Sequence, residues 1–157
     1  MAQPQEGHAA PDFTALASDE KTVSLKDFKG KKSVVLYFYP KDDTPGCTVE
    51  ACEFRDGIKK IEKLDAVVLG VSPDDVKSHN KFIGKFGLPF LLLADQDKAV
   101  CQAYGVWVKK SMYGREYMGV ARTTFVIGKN GKIIKIFDKV KPAGHADEVL
   151  EVLKTDA

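Results

Sequence analysis

The chain has 157 residues, of which 44% are hydrophobic and 29% charged, an ordinary balance for a globular protein with one sizeable core. Its 24 Lys and Arg against 22 Asp and Glu give a net charge of +2, so charge offers no argument for a nucleic-acid partner. No apolar run is long enough to span a membrane, and the N-terminus has neither the basic nor the apolar region of a signal peptide. We therefore expect a single domain over residues 1–157, located in the cytoplasm.

Hydrophobic periodicity and turn residues predict alternating strands and helices. In the first half of the chain we expect a hairpin across 18–20, one helical turn at 25–28, a strand at about 33–39 and a helix at about 45–64. A strand at 66–71 follows, then a helix that starts with a Ser72 cap and stops at Gly87, and a strand at 91–93. The last elements are a helix capped by Asp97, a loose hairpin over 106–121, a second hairpin over 123–137 and a helix at about 145–155. This order implies an α/β thioredoxin-like fold, with a central mixed sheet flanked by helices and extra N-terminal strands.

The stretch at 33–56 contains the residues that point to chemistry. Its first part, 34–39, is nearly all apolar without polar alternation, which is typical of a strand buried on both faces. After a charged loop, Thr44-Pro45-Gly46-Cys47 has the pattern of a helix start, with Thr as N-cap and Pro at the first position. Cys47 then lies third in the helix, where free N–H groups and the helix dipole favour the thiolate, the nucleophilic form of cysteine.

The chain has three cysteines, which without export favour metal or thiol chemistry over a disulfide scaffold. Many cysteines are simply buried, but the placement of Cys47 favours a reactive thiol. Cys52 follows five residues later, which in an intact helix puts the two Cα atoms roughly 8.6 Å apart. A disulfide needs about 7 Å or less, so either the two do not pair or pairing unwinds a turn. Cys101 lies on an apolar stripe with Tyr104, which favours a buried small residue and leaves a spare redox role open.

Other common motifs are missing from the sequence. The cysteines lack CxxC spacing, and His8, His79 and His145 form no ligand pair, so we expect no metal and read each histidine as a surface or hydrogen-bonded residue. Signatures of nucleotide binding and of serine hydrolases are absent as well. Without CxxC, the sequence also argues against a general disulfide reductase.

The segment Pro40-Lys-Asp-Asp-Thr44-Pro-Gly-Cys47 matches the pattern Pro-x-x-x-Thr/Ser-x-x-Cys, and Thr48-Val-Glu-Ala-Cys52 extends it. Further similar stretches are APDF, VLGVSPDD, FGLPFLLLAD, YGVW and RTTFVIGKNGKI, so the match covers nearly the whole chain. On these residues the chain resembles the peroxiredoxin family, in its peroxiredoxin Q branch, also called bacterioferritin comigratory protein. The resemblance implies thiol-dependent reduction of hydrogen peroxide and organic hydroperoxides on a thioredoxin-like fold.

The resemblance also implies a role for each matching residue. It makes Cys47 the peroxidatic cysteine and Cys52 the resolving cysteine. Thr44 would hydrogen-bond the peroxide and the thiolate, and Pro40 would shield the site. Arg122 would reach the site from a distant strand, and Glu50 would orient the Arg122 side chain. In some members of the family the resolving cysteine lies at another position, so Cys101 stays an alternative to Cys52.

The chemistry of the residues agrees with this resemblance. A thiolate attacks one peroxide oxygen and becomes a sulfenic acid, which condenses with a second thiol to a disulfide. No metal, haem or flavin is needed, and a dithiol such as thioredoxin must regenerate the enzyme. We expect an atypical two-cysteine peroxiredoxin, monomeric, without nucleic-acid or membrane partners. Two alternatives stay open, a thiol–disulfide exchange protein of the same fold and a non-enzymatic holdase or binding module whose cysteines sense oxidation.

Overall fold

The structure is a computed structural model that describes residues 3–156. The strands are β1 (Thr14–Ala17), β2 (Thr22–Ser24), β3 (Ser33–Phe38), β4 (Ala66–Ser72), β5 (Leu91–Ala94), β6 (Trp107–Met112), β7 (Arg115–Val120), β8 (Thr123–Ile127) and β9 (Ile133–Phe137). The helices are α1 (Pro45–Lys63), α2 (Val76–Phe86), α3 (Ala99–Ala103) and α4 (His145–Asp156), and a 3₁₀ turn spans Leu25–Asp27. The element order is the predicted one, and the α/β fold class is confirmed.

Seven strands form one sheet in the order β2-β1-β5-β4-β3-β8-β9, while β6 and β7 form a separate two-stranded hairpin. Strands β3, β4 and β5 run parallel, and β8 joins the other side of β3 antiparallel, so the sheet is mixed as predicted. Because parallel strands need a crossover, α1 connects β3 to β4 and α2 connects β4 to β5. Strand β3, which leads towards Cys47, is therefore an interior strand with β4 on one side and β8 on the other.

All six residues of β3 are buried, which confirms a strand covered on both faces. Successive side chains point to opposite faces, and they divide the interior into two apolar clusters. Leu36 and Phe38 belong to the cluster that also contains residues of α3, whereas Val35 and Tyr37 belong to the cluster formed with α1, α2 and α4. The sheet thus separates two layers of packing, and a side chain from one layer does not reach the other through it.

The start of α2 differs from the prediction. Ser72, expected as the N-cap, is the last residue of β4, and its hydroxyl donates to Oδ2 of Asp74 at 2.7 Å. Asp75 caps the helix instead, because its Oδ1 accepts the N–H of Ser78 at 2.8 Å. The predicted end of the helix at Gly87 is confirmed, with a left-handed φ of 62° that suits glycine.

The start of α3 also involves a residue that the prediction missed. The N-cap residue is Lys98 rather than the expected Asp97, which lies one residue earlier and accepts the N–H of Ala99 at 3.1 Å. The buried Asp95 contributes more, since its two carboxylate oxygens accept the N–H groups of Val100 at 3.1 Å and of Cys101 at 2.8 Å. Within residues 3–156, no helix combines the length and the apolar character that crossing a membrane requires.

Candidate active site

Cys47 lies where the sequence predicted it, at the third position of α1. Thr44 precedes the helix in an extended conformation, with φ −101° and ψ 156°, and Pro45 is the first helical residue. The first-turn N–H groups of an α-helix have no partner within the helix, so they and the helix dipole favour negative charge at this end. The Cys47 side chain is only 1% exposed, which keeps bulk water from the sulfur.

Arg122 reaches Cys47 from the junction of β7 and β8. Its Nη2 lies 3.2 Å from Sγ of Cys47, and its Nη1 donates to Oε1 of Glu50 at 2.7 Å. The sheet explains this proximity, because Phe38 at the end of β3 pairs with Thr123 at the start of β8. The residue before Thr123 must therefore lie beside the loop that leads from β3 into α1.

Glu50 is a buried carboxyl group, 1% exposed, on the turn of α1 that follows Cys47. Oε1 binds Arg122, whereas Oε2 has no hydrogen-bond partner among the described residues. Burial raises the pKa of Glu50 to about 7, although the guanidinium of Arg122 acts in the opposite direction, and Glu53 adds to the rise. The site thus combines one cation with two groups that can be anionic, Cys47 and Glu50.

Gly46 is a residue of the site that sequence reasoning did not single out. A Cβ atom added to Gly46 would lie 3.2 Å from Nη2 of Arg122 and 3.5 Å from Cγ of Pro142. Nη2 is the nitrogen that contacts Cys47, so the missing side chain at position 46 makes room for this contact. The only sequence signal was a glycine inside the first turn of a helix, where it is a poor helix former.

The two other predicted residues of the motif, Thr44 and Pro40, precede Cys47 in the chain, and neither has a hydrogen bond to the sulfur. Both are half-buried. The Thr44 hydroxyl donates to the carbonyl oxygen of Lys41 at 3.0 Å rather than to Cys47. Pro40 follows Tyr39 in the loop that connects β3 to α1. The roles of Thr44 and Pro40 stay predictions.

A buried hydrogen-bond network that was not predicted from the sequence holds this loop against α2. Oδ2 of Asp42 accepts from the hydroxyl of Ser78 at 2.8 Å and lies 2.7 Å from Nδ1 of His79, and Oδ1 accepts from the hydroxyl of Tyr39 at 2.6 Å. Nε2 of His79 lies 2.9 Å from the carbonyl oxygen of Leu93. Both ring nitrogens of His79 therefore face hydrogen-bond acceptors.

The same network contains the group of side chains most similar to a metal site. Ligand atoms of Asp42, Asp74 and His79 lie within 4.8 Å of one another. Each of them is already engaged, because Oδ2 of Asp74 accepts the N–H of Asp42 at 2.8 Å and the hydroxyl of Ser72 at 2.7 Å. We interpret the cluster as a structural network that fixes the loop from β3 to α1.

The two other cysteines lie in different surroundings. Cys52 is half-buried within the continuous helix α1. Five residues of an intact helix separate its Cα from that of Cys47 by roughly 8.6 Å, which is too far for a disulfide. Cys101 is fully buried in the apolar cluster on the opposite face of the sheet from Cys47. Burial, and after it the carboxylate of Asp95, raises the pKa of the Cys101 thiol far above its usual range. Which of the two pairs with Cys47 stays a prediction, and Cys52 is the one that shares a helix with it.

A family model described as the AhpC/TSA family matches residues 7–136 of the chain. This match covers most of the chain, including the Cys47 segment and Arg122. The chain therefore belongs to the AhpC/TSA family of peroxiredoxins, which are thiol peroxidases.

Individual relatives and solved structures show which branch of the family the chain resembles. The chain is 51% identical over 148 residues to "Peroxiredoxin Bcp" of Bacillus subtilis, covering 94% of each chain, and 52% identical over 144 residues to "Putative peroxiredoxin bcp" of Coxiella burnetii, covering 92% of this chain and 95% of the other. Peroxiredoxin Q of Xanthomonas campestris superposes with a TM-score of 0.87 at 42% identity, covering 91% of this chain and 90% of that one. The predicted resemblance to the peroxiredoxin Q branch is confirmed.

Proposed function

We propose that this protein reduces hydrogen peroxide and organic hydroperoxides with Cys47 as the attacking thiolate. The observation that carries the proposal is the contact between Nη2 of Arg122 and Sγ of Cys47, 3.2 Å long, at the N-terminus of a helix. A structure of the Xanthomonas campestris bacterioferritin comigratory protein, 41% identical and covering 92% of this chain with a TM-score of 0.87, is described in terms of alkyl peroxide reduction. That description supports the substrate class proposed here.

In the first step the Cys47 thiolate attacks one oxygen of the peroxide, and the O–O bond breaks with its electron pair on the leaving oxygen. Negative charge moves from sulfur to that oxygen, so donors held near both atoms lower the barrier. Arg122 and the free N–H groups of α1 are such donors, and we place the Thr44 hydroxyl among them. Pro40 would shield the site, and Glu50 would hold Arg122 in position through its 2.7 Å contact.

In the second step the sulfenic acid condenses with the thiol of Cys52 and releases water. Because the two Cα atoms of an intact α1 are roughly 8.6 Å apart, the first turns of the helix must open for the disulfide to form. Pro45 and Gly46 are poor helix formers in a helix interior, which makes this end suitable for opening. An external dithiol, of the thioredoxin type, then reduces the disulfide, and we propose that the enzyme works as a monomer in the cytoplasm.

Rapid mixing of the reduced protein with peroxide tests this function. We expect fast peroxide consumption and turnover with a dithiol reductant, complete loss of both in Cys47→Ser, and retention of both in the matched variant Cys101→Ala. A thiol–disulfide exchange protein would instead reduce disulfides with little peroxide consumption. A non-catalytic sensor would oxidise slowly and turn over nothing. Substantial peroxidase activity in Cys47→Ser would remove Cys47 from the mechanism.

A further inference from the structure

The Glu50 carboxyl group has an environment that does not suit a permanent carboxylate. It is 1% exposed, and only one of its oxygens has a hydrogen bond, the 2.7 Å contact with Arg122. Oε2 is buried without a partner among the described residues. An ionised oxygen without water or a donor is costly, whereas a protonated carboxyl group removes most of that cost.

The same guanidinium serves Cys47. Nη1 of Arg122 binds Glu50 and Nη2 contacts the sulfur at 3.2 Å, so one positive charge lies between two acids. If both acids ionise, the site has a net charge of −1 in a poorly hydrated space, so each ionisation opposes the other. We propose that Cys47 and Glu50 share a single proton, which sits on Glu50 while Cys47 is a thiolate and leaves Glu50 when Cys47 is oxidised.

The proposal rests on the proposed function for its oxidation step, and that step balances. The thiolate, the protonated carboxyl group and ROOH become a sulfenic acid, a carboxylate and ROH. The sulfur donates an electron pair to one peroxide oxygen, and the O–O bond breaks with its pair on the other oxygen. That oxygen takes up one proton and Glu50 gives up one. Two protons and a charge of −1 are present on each side, so no proton is drawn from bulk solvent.

Oxidation moves the proton because it removes the anion that opposed Glu50. A sulfenic acid is neutral, so Arg122 then interacts with the Glu50 carboxylate alone. Burial already raises the pKa of Glu50 to about 7, which places its titration near neutral pH. The other titratable groups around the pair come from β3, α1, β6 and α4, and they are Tyr37, Glu53, Lys110 and His145.

The test follows the Glu50 carboxyl carbon by NMR in protein labelled with ¹³C at the glutamate carboxyl, with the signal assigned by its loss in Glu50→Gln. Reduced wild type and Cys47→Ser are titrated under the same conditions. We expect the pKa of Glu50 to be lower in Cys47→Ser by about one unit or more, because the neighbouring anion is gone. Equal pKa values in the two proteins would overturn the proposal.

A second arm adds one equivalent of hydrogen peroxide to Cys52→Ser near neutral pH, which leaves Cys47 as the sulfenic acid. We expect the Glu50 signal to move towards the ionised form, and the infrared C=O stretch of a protonated carboxyl group to decrease. Glu53→Gln, the same change on the next turn of α1, should leave both differences in place. If Cys47 is oxidised while the NMR signal of the Glu50 carboxyl carbon stays unchanged, the shared-proton proposal fails and the peroxidase function stands. If peroxide does not oxidise Cys47, the proposed function fails, and the comparison with Cys47→Ser still decides the coupling.

Discussion

Nη2 of Arg122 lies 3.2 Å from Sγ of Cys47, although the two residues are 75 positions apart in the chain. The contact depends on β8 pairing with β3, which brings the residue before Thr123 next to the start of α1. The guanidinium is planar and offers donors in a fixed fork, so it binds Glu50 and the sulfur at once. The peroxide reduction that we propose at this site would therefore depend on a tertiary contact as much as on the cysteine.

Arg122→Ala should slow oxidation of Cys47 by peroxide about a hundredfold or more, because a donor to developing negative charge is lost. Arg122→Lys should recover only part of the rate, since an ammonium group cannot bind both partners in the same geometry. The measurement is the second-order rate constant from rapid mixing. Arg115→Ala, an exposed arginine on β7, is the matched control and should leave this rate unchanged. A near-normal rate in Arg122→Ala would contradict the role given to the arginine.

Gly46→Ala should impair catalysis without unfolding the protein. The new methyl group would lie 3.2 Å from Nη2 of Arg122, so the end of this side chain must move by a few tenths of an ångström. Alanine is also a better helix former than glycine by roughly 1 kcal/mol, which offsets part of the stability lost through this close contact. We expect a reduced rate of Cys47 oxidation with a melting temperature near that of wild type. Gly84→Ala, on α2 with open space around it, is the control.

Peptide mapping of peroxide-treated protein should find a disulfide between Cys47 and Cys52. Amide exchange should then become faster across about residues 45–54 in the oxidised form, while β3 stays protected, because the disulfide requires α1 to open at its start. Cys52→Ser should lose this change and over-oxidise more readily at Cys47. A Cys47–Cys101 bond, or equal exchange in the two redox forms despite a Cys47–Cys52 bond, would show that this account of resolution is wrong.

Glu50 should make the stability of the reduced protein pH-dependent. Its pKa is about 7 when folded against 4.5 as an ordinary glutamate, so the folded state binds more protons between these values. The stabilisation is fully present below about pH 4.5 and is lost as pH rises through about 7, by roughly 3 kcal/mol at most. Urea unfolding at a series of pH values should show this loss in wild type and in Glu53→Gln. Glu50→Gln has no titrating group there, so a wild-type profile in that variant would falsify the assignment.

His79→Leu should destabilise the protein by about 2 kcal/mol, because it removes one hydrogen-bond partner of the buried Asp42 side chain. The hydroxyl groups of Tyr39 and Ser78 still bind Asp42, so this side chain keeps part of its hydrogen bonding. The loop into α1 should also lose protection from amide exchange. Asn80→Ala, an exposed neighbour on α2, is the control, and equal stability of the two variants would contradict a structural role for the network.

Local sequence was enough to predict most elements, because their signals lie within a few residues. The apolar run of β3 and the Thr44-Pro45 start of α1 fixed the position of Cys47 at a helix N-terminus, and the structure agrees. The prediction for the start of α2 was wrong because strand pairing overrode the local pattern. Ser72-Pro73 has the local pattern of a cap, but pairing with β5 extends β4 through Ser72 and leaves the cap to Asp75.

The sequence by itself determined that a thiol sits at the start of a helix that follows a buried strand. It did not determine which distant groups meet that thiol, since Arg122 entered only through the family resemblance. Strand pairing decided the contacts of Arg122 with Cys47 and Glu50, the space left at Gly46, and the separation of Cys101 on the opposite face of the sheet. These are non-local contacts, set by which strands pair and which faces they bury, and no short-range pattern along the chain encodes them.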